Sequence, residues 1–155
     1  MSSGSAAFGS VGLITTSGDA SVEISAGGKL DCGVYSFAGG SSVSLEGWFR
    51  ADSLPSTGWK VAALAGTDSL YLVGGRVPRV EVHTSTGAIA VQGSTRVAVG
   101  EAHHLVGTYD GSHVRIFVDG VLSAVQTKTG CDGFRPVLDL RTLFMVIRST
   151  EQSTR

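Results

Sequence analysis

Two Asp-Gly pairs divide residues 103–122 into three runs that are rich in β-branched and aromatic side chains. The pairs are Asp110-Gly111 and Asp119-Gly120. Asp-Gly between alternating apolar runs is a strong hairpin signal, because both central residues of a type I′ turn need a positive φ angle. The stretch therefore predicts a three-stranded antiparallel meander that runs from His103 to about Thr127.

The rest of the chain repeats this pattern of short strands and turns. Residues 42–51 alternate between an apolar face and a mixed face that carries Trp48, which indicates a strand covered in part on both sides. Further short strands are predicted at residues 21–24, 59–64, 70–73, 79–83, 88–91 and 96–99. No stretch carries a sustained helical period. About ten or more short strands between turns predict an all-β antiparallel sandwich or jelly roll.

A single domain of residues 1–155 accounts for the length, since such a chain buries about 70% of its unfolded surface in one core. Hydrophobic residues make up 42% of the chain and 22 residues are glycine, which fits a globular protein of strands and tight turns. The formal net charge is −1 and the 12 Lys and Arg residues are scattered. A nucleic-acid-binding protein needs a basic stripe, so that class is excluded.

The two ends of the chain differ from its middle. Residues 1–18 are mostly small and polar, and we expect them to be flexible or to contact a partner. Residues 131–155 contain a continuous apolar run, Leu143–Ile147, followed by a polar tail. Such a run predicts a fully buried strand.

Cysteine content and hydropathy limit the cellular compartments in which the protein is expected. Cys32 and Cys131 lie far apart and form no zinc-binding spacing, so they are either two separate thiols or one disulfide. No apolar run approaches the ~18–20 residues that span a bilayer. The first residues lack the basic and apolar regions of a signal peptide. We expect a chain that is made in the cytosol, does not insert into membranes and is not exported by that route, unless it is a mature fragment.

Histidine and acidic residues form no reactive pattern. His103 and His104 are adjacent on a predicted strand, so their side chains leave on opposite faces and cannot share a metal ion without distortion. A glycoside hydrolase needs two carboxylates about the scissile bond, and Glu46 has no acidic residue two or four positions further on. Neither a Gly-x-Ser-x-Gly elbow nor a phosphate-binding loop is present. We expect no zinc site, no catalytic residues and no enzymatic activity.

Several segments resemble a known family, in the family's own order. Ser44-Leu-Glu-Gly-Trp-Phe49 with the turn at residues 52–55 is similar to an early strand and turn of laminin-G-like domains in the concanavalin-A-like jelly-roll superfamily. Residues 103–111 and 114–120 resemble that family's most recognisable segment, and residues 19–24 resemble its first strand. The resemblance covers residues 19–127 and implies two antiparallel sheets, one concave, with binding surfaces at the rim or on the concave face.

Two departures from the family pattern concern how the sandwich closes. Ala102 stands where the family usually has Trp, and residues 131–155 lack the Gly-x-Ile-Asp-Glu-Val closing strand. The closing strand is therefore either divergent, at Leu143–Ile147, or supplied by another chain. Because an unclosed sandwich exposes edge strands, we expect a homo-oligomer or docking on a larger assembly.

The resemblance also implies two kinds of ligand. Laminin-G-like domains often bind one calcium ion, and three loop residues are candidates for a structural site of that kind: Asp19, Asp68 and Asp132. Asp is also an ordinary turn residue, and no Asp-x-Asp-x-Asp spacing is present. No other cofactor is expected. Sugar binding needs exposed aromatic rings beside hydrogen-bonding groups, and the best candidates are Trp59, Tyr71, Arg79 and His83.

Two functional hypotheses follow, from different classes. The first is a non-enzymatic structural domain on the surface of a virion, such as a bacteriophage decoration or tail-associated protein, which docks on other virion proteins and binds host-surface glycans. A virion protein is released by lysis, which reconciles an adhesive fold with the missing signal peptide. The second is a secreted carbohydrate- or protein-binding module of a larger adhesin or glycan-degrading protein.

Overall fold

The structure, a computed structural model, describes residues 6–11, 20–25, 42–52, 59–64, 68–73, 76–84, 86–128 and 146–150. Side chains are described for residues 42–52, 76–84 and 86–128. Strands are the regular elements in these ranges: β1 (Ala6–Val11), β2 (Ala20–Ser25), β3 (Val43–Ala51), β4 (Trp59–Leu64), β5 (Asp68–Val73), β6 (Val77–Thr84), β7 (Gly87–Gln92), β8 (Ala102–Tyr109), β9 (His113–Val118), β10 (Val121–Thr127) and β11 (Val146–Thr150). The described residues contain no helix that could cross a membrane.

The strands form two sheets. The larger sheet has seven strands in the order β1-β2-β11-β3-β8-β9-β10, and the smaller has four in the order β4-β5-β6-β7. Neighbouring strands are antiparallel except at β11, which runs parallel to both β2 and β3. The predicted all-β antiparallel sandwich is confirmed.

The core lies between the two sheets. Alternation decides which residues enter it, since every second residue of β3, β6, β8 and β9 is buried. The buried hydrophobic residues form one cluster: Val43, Leu45, Phe49, Ala51, Val80, Val82, Ile89, Val91, Val97, Leu105, Tyr109, Val114, Ile116 and Val118. The outer faces of both sheets are therefore on opposite sides of the molecule.

The meander from β8 to β10 forms as the Asp-Gly pairs predict, but its two turns differ. Asp119 and Gly120 have φ angles of 52° and 79°, the positive pair that a type I′ turn requires. In the first turn Gly111 has a φ of 94°, whereas Asp110 does not take a positive φ. Asp110 instead uses its carboxylate, which accepts the backbone N–H groups of Ser112 and His113 at 2.9 and 2.7 Å.

Both ends of the chain contribute strands to the larger sheet. Residues 6–11, inside the segment that we expected to be flexible or to contact a partner, form β1 and pair with β2. The C-terminal strand β11 covers Val146–Thr150, so it overlaps the expected Leu143–Ile147 only at its first two residues. It lies between β2 and β3, where this chain itself supplies the strand. Cys32 and Cys131 lie outside the described residues, so whether they form a disulfide is not tested.

Candidate functional site

The outer face of the four-stranded sheet is polar. On β6 the residues Pro78, Val80 and Val82 point into the core, which turns Arg79, Glu81 and His83 outward. On β7 the buried residues are Ile89 and Val91, so Ala88, Ala90 and Gln92 share the outer side. We call these six outward residues the front face: Arg79, Glu81, His83, Ala88, Ala90 and Gln92.

An ionic row runs along β6 on the front face. Arg79 Nη2 donates a hydrogen bond to Glu81 Oε2 at 3.3 Å, and His83 Nε2 lies 3.6 Å from Glu81 Oε1. The side chains of Arg79, Glu81 and His83 are 36%, 27% and 42% exposed. Both oxygens of one carboxylate therefore have a basic neighbour, and all three groups reach solvent.

Small side chains stand beside this row. Ala90 is paired with Glu81 and Ala88 with His83 across the β6–β7 ladder, while Gln92 is paired with Arg79. β7 is the edge strand of its sheet. Directly paired residues share a face, so the alanines leave a low shelf between the ionic row and the sheet edge.

Backbone register relates the four residues that the sequence predicts for sugar binding. Tyr71 of β5 is paired with Arg79, and His83 follows four residues along β6 on the same face as Arg79. Trp59 of β4 is paired with Leu72, which is paired with the buried Pro78. Register therefore places Trp59 in line with Pro78 and not with Arg79. Their binding role stays a prediction.

Sequence reasoning did not select Glu81 or Gln92. The signal for Glu81 was available, because it is two residues from both Arg79 and His83 and must share their face of a strand. Gln92 could not be found in this way. Its pairing with Arg79 depends on the register of a second strand.

The outer face of the seven-stranded sheet carries a different cluster. The rings of Trp48 and His104 are stacked, with centroids 4.7 Å apart and planes inclined by 18°. His104 Nε2 donates to Glu46 Oε1 at 2.7 Å. Next to this cluster, register places Val106 of β8, Phe117 of β9 and Leu122 of β10 in one row across the sheet. Val125 follows on β10, paired with Arg115.

We call this outer surface the back face and define it by its outward side chains: Ser44, Glu46, Trp48, Arg50, His104, Val106, Thr108, Arg115, Phe117, Leu122 and Val125. It combines a polar aromatic cluster on the central strands with apolar residues toward the edge strand β10.

His103 turns inward, as strand alternation predicts, and serves the fold. Its side chain accepts the N–H of Ala98 at Nε2, at 2.9 Å, so the ring proton of the neutral form is on Nδ1. Nδ1 then donates to Asp119 Oδ2 at 2.9 Å. Asp119 Oδ1 accepts the N–H of His104 at 2.8 Å. This set joins the segment before β8 to the β9–β10 turn.

The surroundings of Asp110 lower the pKa of its carboxyl group. The Arg115 guanidinium donates to its carboxylate, and the N–H groups of Ser112 and His113 add to the effect. Together they hold the pKa of Asp110 well below its usual range. These contacts stay within the β8–β9 hairpin, where they stabilise the turn.

No three His, Cys, Asp or Glu side chains in the described ranges are grouped so that they could hold a metal ion. Of the calcium candidates, Asp19 and Asp132 lie outside the described residues. Asp68 is the first residue of β5 and is paired with Leu64. The calcium site therefore stays a prediction.

Comparison with known proteins identifies the family. No curated protein matches the chain. A solved structure from Bacteroides ovatus, described as a candidate carbohydrate-binding protein, is similar with a TM-score of 0.50 and 20% sequence identity. The similarity covers 62% of this chain but only 28% of that protein. The Laminin_G_3 family model, described as the concanavalin A-like lectin/glucanases superfamily, matches residues 16–138. As its motifs predict, the chain belongs to the concanavalin A-like lectin/glucanase superfamily.

Proposed function

We propose that this domain binds carbohydrate without catalysis, and that the front face is its binding surface. Membership of a lectin and glucanase superfamily supports this class of function, and so does the description of the Bacteroides ovatus protein with a similar fold. The observation that carries the site assignment is the ionic row Arg79–Glu81–His83 beside the alanine shelf.

The chemistry of the front face suits hydroxyl groups. A carboxylate accepts hydrogen bonds from hydroxyls, a guanidinium donates to them in a planar fork, and an amide does both. Glu81, Arg79 and Gln92 offer these three kinds of group within two paired strands. The shelf at Ala88 and Ala90 gives a saccharide ring room to lie against the sheet. An aromatic residue, Tyr71, occupies the strand position paired with Arg79.

Charge balance favours neutral saccharides over acidic ones. The Glu81 carboxylate pairs with Arg79 and lies beside His83, so it offsets the positive charge that would otherwise attract a carboxylate or sulfate, and it repels such a group at short range. A neutral hydroxylated ligand meets no such repulsion. We therefore expect binding of neutral oligosaccharides.

The expectation of no catalysis follows from the acidic residues of the front face. Hydrolysis of a glycosidic bond generally needs two carboxyl groups, about 5–5.5 Å apart in retaining and about 6.5–9.5 Å apart in inverting enzymes. Among its six defining side chains, Glu81 is the one carboxylate. Incubation with a soluble β-glucan should release no reducing sugar, and turnover that vanished in Glu46→Gln or Glu81→Gln would contradict the proposal.

Binding can be tested with two matched variants. The wild-type chain is screened on an array of neutral oligosaccharides, and the strongest ligand is titrated by calorimetry. Glu81→Gln keeps the size of the side chain but removes its charge, and we expect it to weaken binding about tenfold, because charge-assisted hydrogen bonds are lost. Glu101→Gln makes the same chemical change at an exposed residue off the front face and should bind as the wild type does. Equal affinities for all three proteins would rule out the front face.

The setting of the domain is a separate part of the proposal. A domain that binds external glycans acts on an exposed surface, and we propose display on a virion, with secretion as the alternative. Co-purification of the protein with particles from a lysate would support the first. An export signal on the full gene product would support the second.

A further inference from the structure

Toward the edge strand β10, the back face departs from the rule that the outer side of an antiparallel sheet is polar. Val106, Phe117 and Leu122 form an apolar row across β8, β9 and β10, and Val125 follows on β10. Leu122 and Val125 are 49% and 51% exposed. The front face of the same sandwich, at its described positions, is made of charged, amide and alanine side chains. The two outer faces thus differ in chemistry.

On the strands of the back face whose side chains the structure describes, the charges are already matched within the chain. Glu46 pairs with His104 at 2.7 Å, Arg50 with Asp52 at 3.0 Å, and Arg115 with Asp110. Burying an unpaired charge is costly, whereas a face of matched charges can be covered by an uncharged or equally matched surface.

The size of the back face also fits a protein partner. Seven strands at a spacing of ~4.8 Å, with about six residues each at ~3.3 Å, cover about 670 Å² in projection. A stable interface buries about 800 Å² on each partner. Stacked sheets pack about 10 Å apart with their strands nearly aligned, which needs a second sheet of similar size.

We propose that the back face is the interface of a homodimer, in which the seven-stranded sheets of two copies pack face to face. A second copy supplies a sheet of the required size, an apolar row to meet the apolar row, and matched charges that introduce no repulsion. Its two-fold symmetry brings the same patch to both sides, as an isologous interface requires. Phe117 and Leu122 are the apolar anchors, and Trp48 is the aromatic residue nearest the sheet centre.

Edge-to-edge pairing through β10 is disfavoured by the structure of that edge. The ladder between β9 and β10 is irregular between Leu122 and Ala124. At Ser123, the side-chain oxygen accepts the N–H groups of Ser94 and Thr95 at 3.0 and 3.1 Å, and the Ser123 carbonyl accepts the Ser94 hydroxyl. A bulge and a covering segment are common protections of an edge strand. Association is therefore expected through the face of the sheet.

Two neighbouring residues of β10 give a matched test. Leu122 is paired with the outward Phe117, whereas Val121 is paired with Val118, whose side chain is buried on the inner side. Both side chains are exposed, Val121 at 68%, so lysine at either position should leave the fold intact. In sedimentation equilibrium across the micromolar range, the wild type and Val121→Lys should be dimers. Leu122→Lys should be a monomer, because it brings two like charges into the interface.

A second variant and a binding assay complete the test. Val125→Lys, which is also on the back face, should weaken the dimer at least tenfold. A monomeric wild type, or dimers unaffected by both Leu122→Lys and Val125→Lys, would overturn the proposal. Calorimetric titration of Leu122→Lys with a neutral oligosaccharide bound by the wild type separates this result from the front-face proposal, since the monomer should retain that affinity per site.

Discussion

At the scale of single residues, His103 shows how one side chain can fix several backbone segments. Its imidazole is buried, with 8% of the residue exposed, and both ring nitrogens are used. The Ala98 N–H defines the tautomer, and the Asp119 carboxylate holds the ring by its other nitrogen. Adjacent histidines therefore have separate tasks, since His104 faces outward and stacks on Trp48.

Replacing His103 by alanine should lower the free energy of unfolding by about 2 kcal/mol, because the Ala98 N–H loses its acceptor and a buried ring is removed. Urea denaturation followed by tryptophan fluorescence measures the change. His83→Ala, at an exposed position, is the control and should change stability by less than about 0.5 kcal/mol. Equal effects of the two substitutions would contradict the role given to His103.

Asp110 makes a pH-dependent contribution to stability. Its pKa in the folded chain is below the unfolded value of about 3.9, mainly because Arg115 donates to it, so folding favours the carboxylate. This stabilisation is complete above the unfolded pKa and is lost as the pH falls below it toward the folded pKa. Asp110→Asn should therefore melt at a lower temperature than the wild type at pH 7, and the two melting curves should converge in acid. A temperature difference that is independent of pH would refute this assignment.

At the scale of elements, turn chemistry decides the register of the meander. The type I′ turn needs positive φ at Asp119 and Gly120, and the side chain of Asp119 then reaches back to His103 and the N–H of His104. The first turn needs positive φ only at Gly111. Asp110 contributes there through its carboxylate, which explains why the same dipeptide forms two different turns.

Backbone strain predicts opposite effects at two positions with positive φ. Gly120→Ala, at a φ of 79°, should destabilise the chain by about 1 kcal/mol, because a Cβ disfavours the left-handed region. Arg76 has a φ of 69°, and Arg76→Gly should stabilise by about 0.5 kcal/mol after the added chain entropy of glycine is allowed for. Thermal melting measures both. A fall in melting temperature for Arg76→Gly would count against this account of strain.

At the scale of the whole molecule, the sandwich separates two surfaces with different chemistry. The inner sides of both sheets meet in one hydrophobic cluster, so the front and back faces point in opposite directions. A dimer through the back faces would present two front faces outward, on opposite ends of the assembly. Two sites that point in opposite directions would let one dimer bridge two glycan-bearing surfaces.

Both proposals together predict that the dimer cross-links glycan-coated particles. Beads densely coated with the bound oligosaccharide should aggregate with the wild type and stay dispersed with Leu122→Lys, because a second site that points away from one bead can engage another. In solution, with a soluble monovalent oligosaccharide, the two proteins should have the same affinity per site. Dispersed beads in the presence of a dimeric, oligosaccharide-binding wild type would show that the two sites do not act together.

Much of the fold could be predicted from local patterns. Alternation at residues 42–51 and the two Asp-Gly pairs indicate strands and hairpins because both signals depend on neighbours in sequence. The closing strand was harder to locate. β11 lies between β2 and β3, and its parallel pairing depends on residues far away in the chain. The overlap of β11 with the expected run at only Val146 and Ile147 reflects that difference.

For the candidate site, sequence alone determined which residues share a face of one strand. Arg79, Glu81 and His83 must point the same way, because side chains alternate along a strand. Only the tertiary structure decided which strands lie next to one another. It paired Tyr71 and Gln92 with Arg79, stacked Trp48 on His104, and aligned Val106, Phe117 and Leu122 into one apolar row. The physical reason is that strand order and register come from burying one core between two sheets, a condition imposed by the whole chain at once.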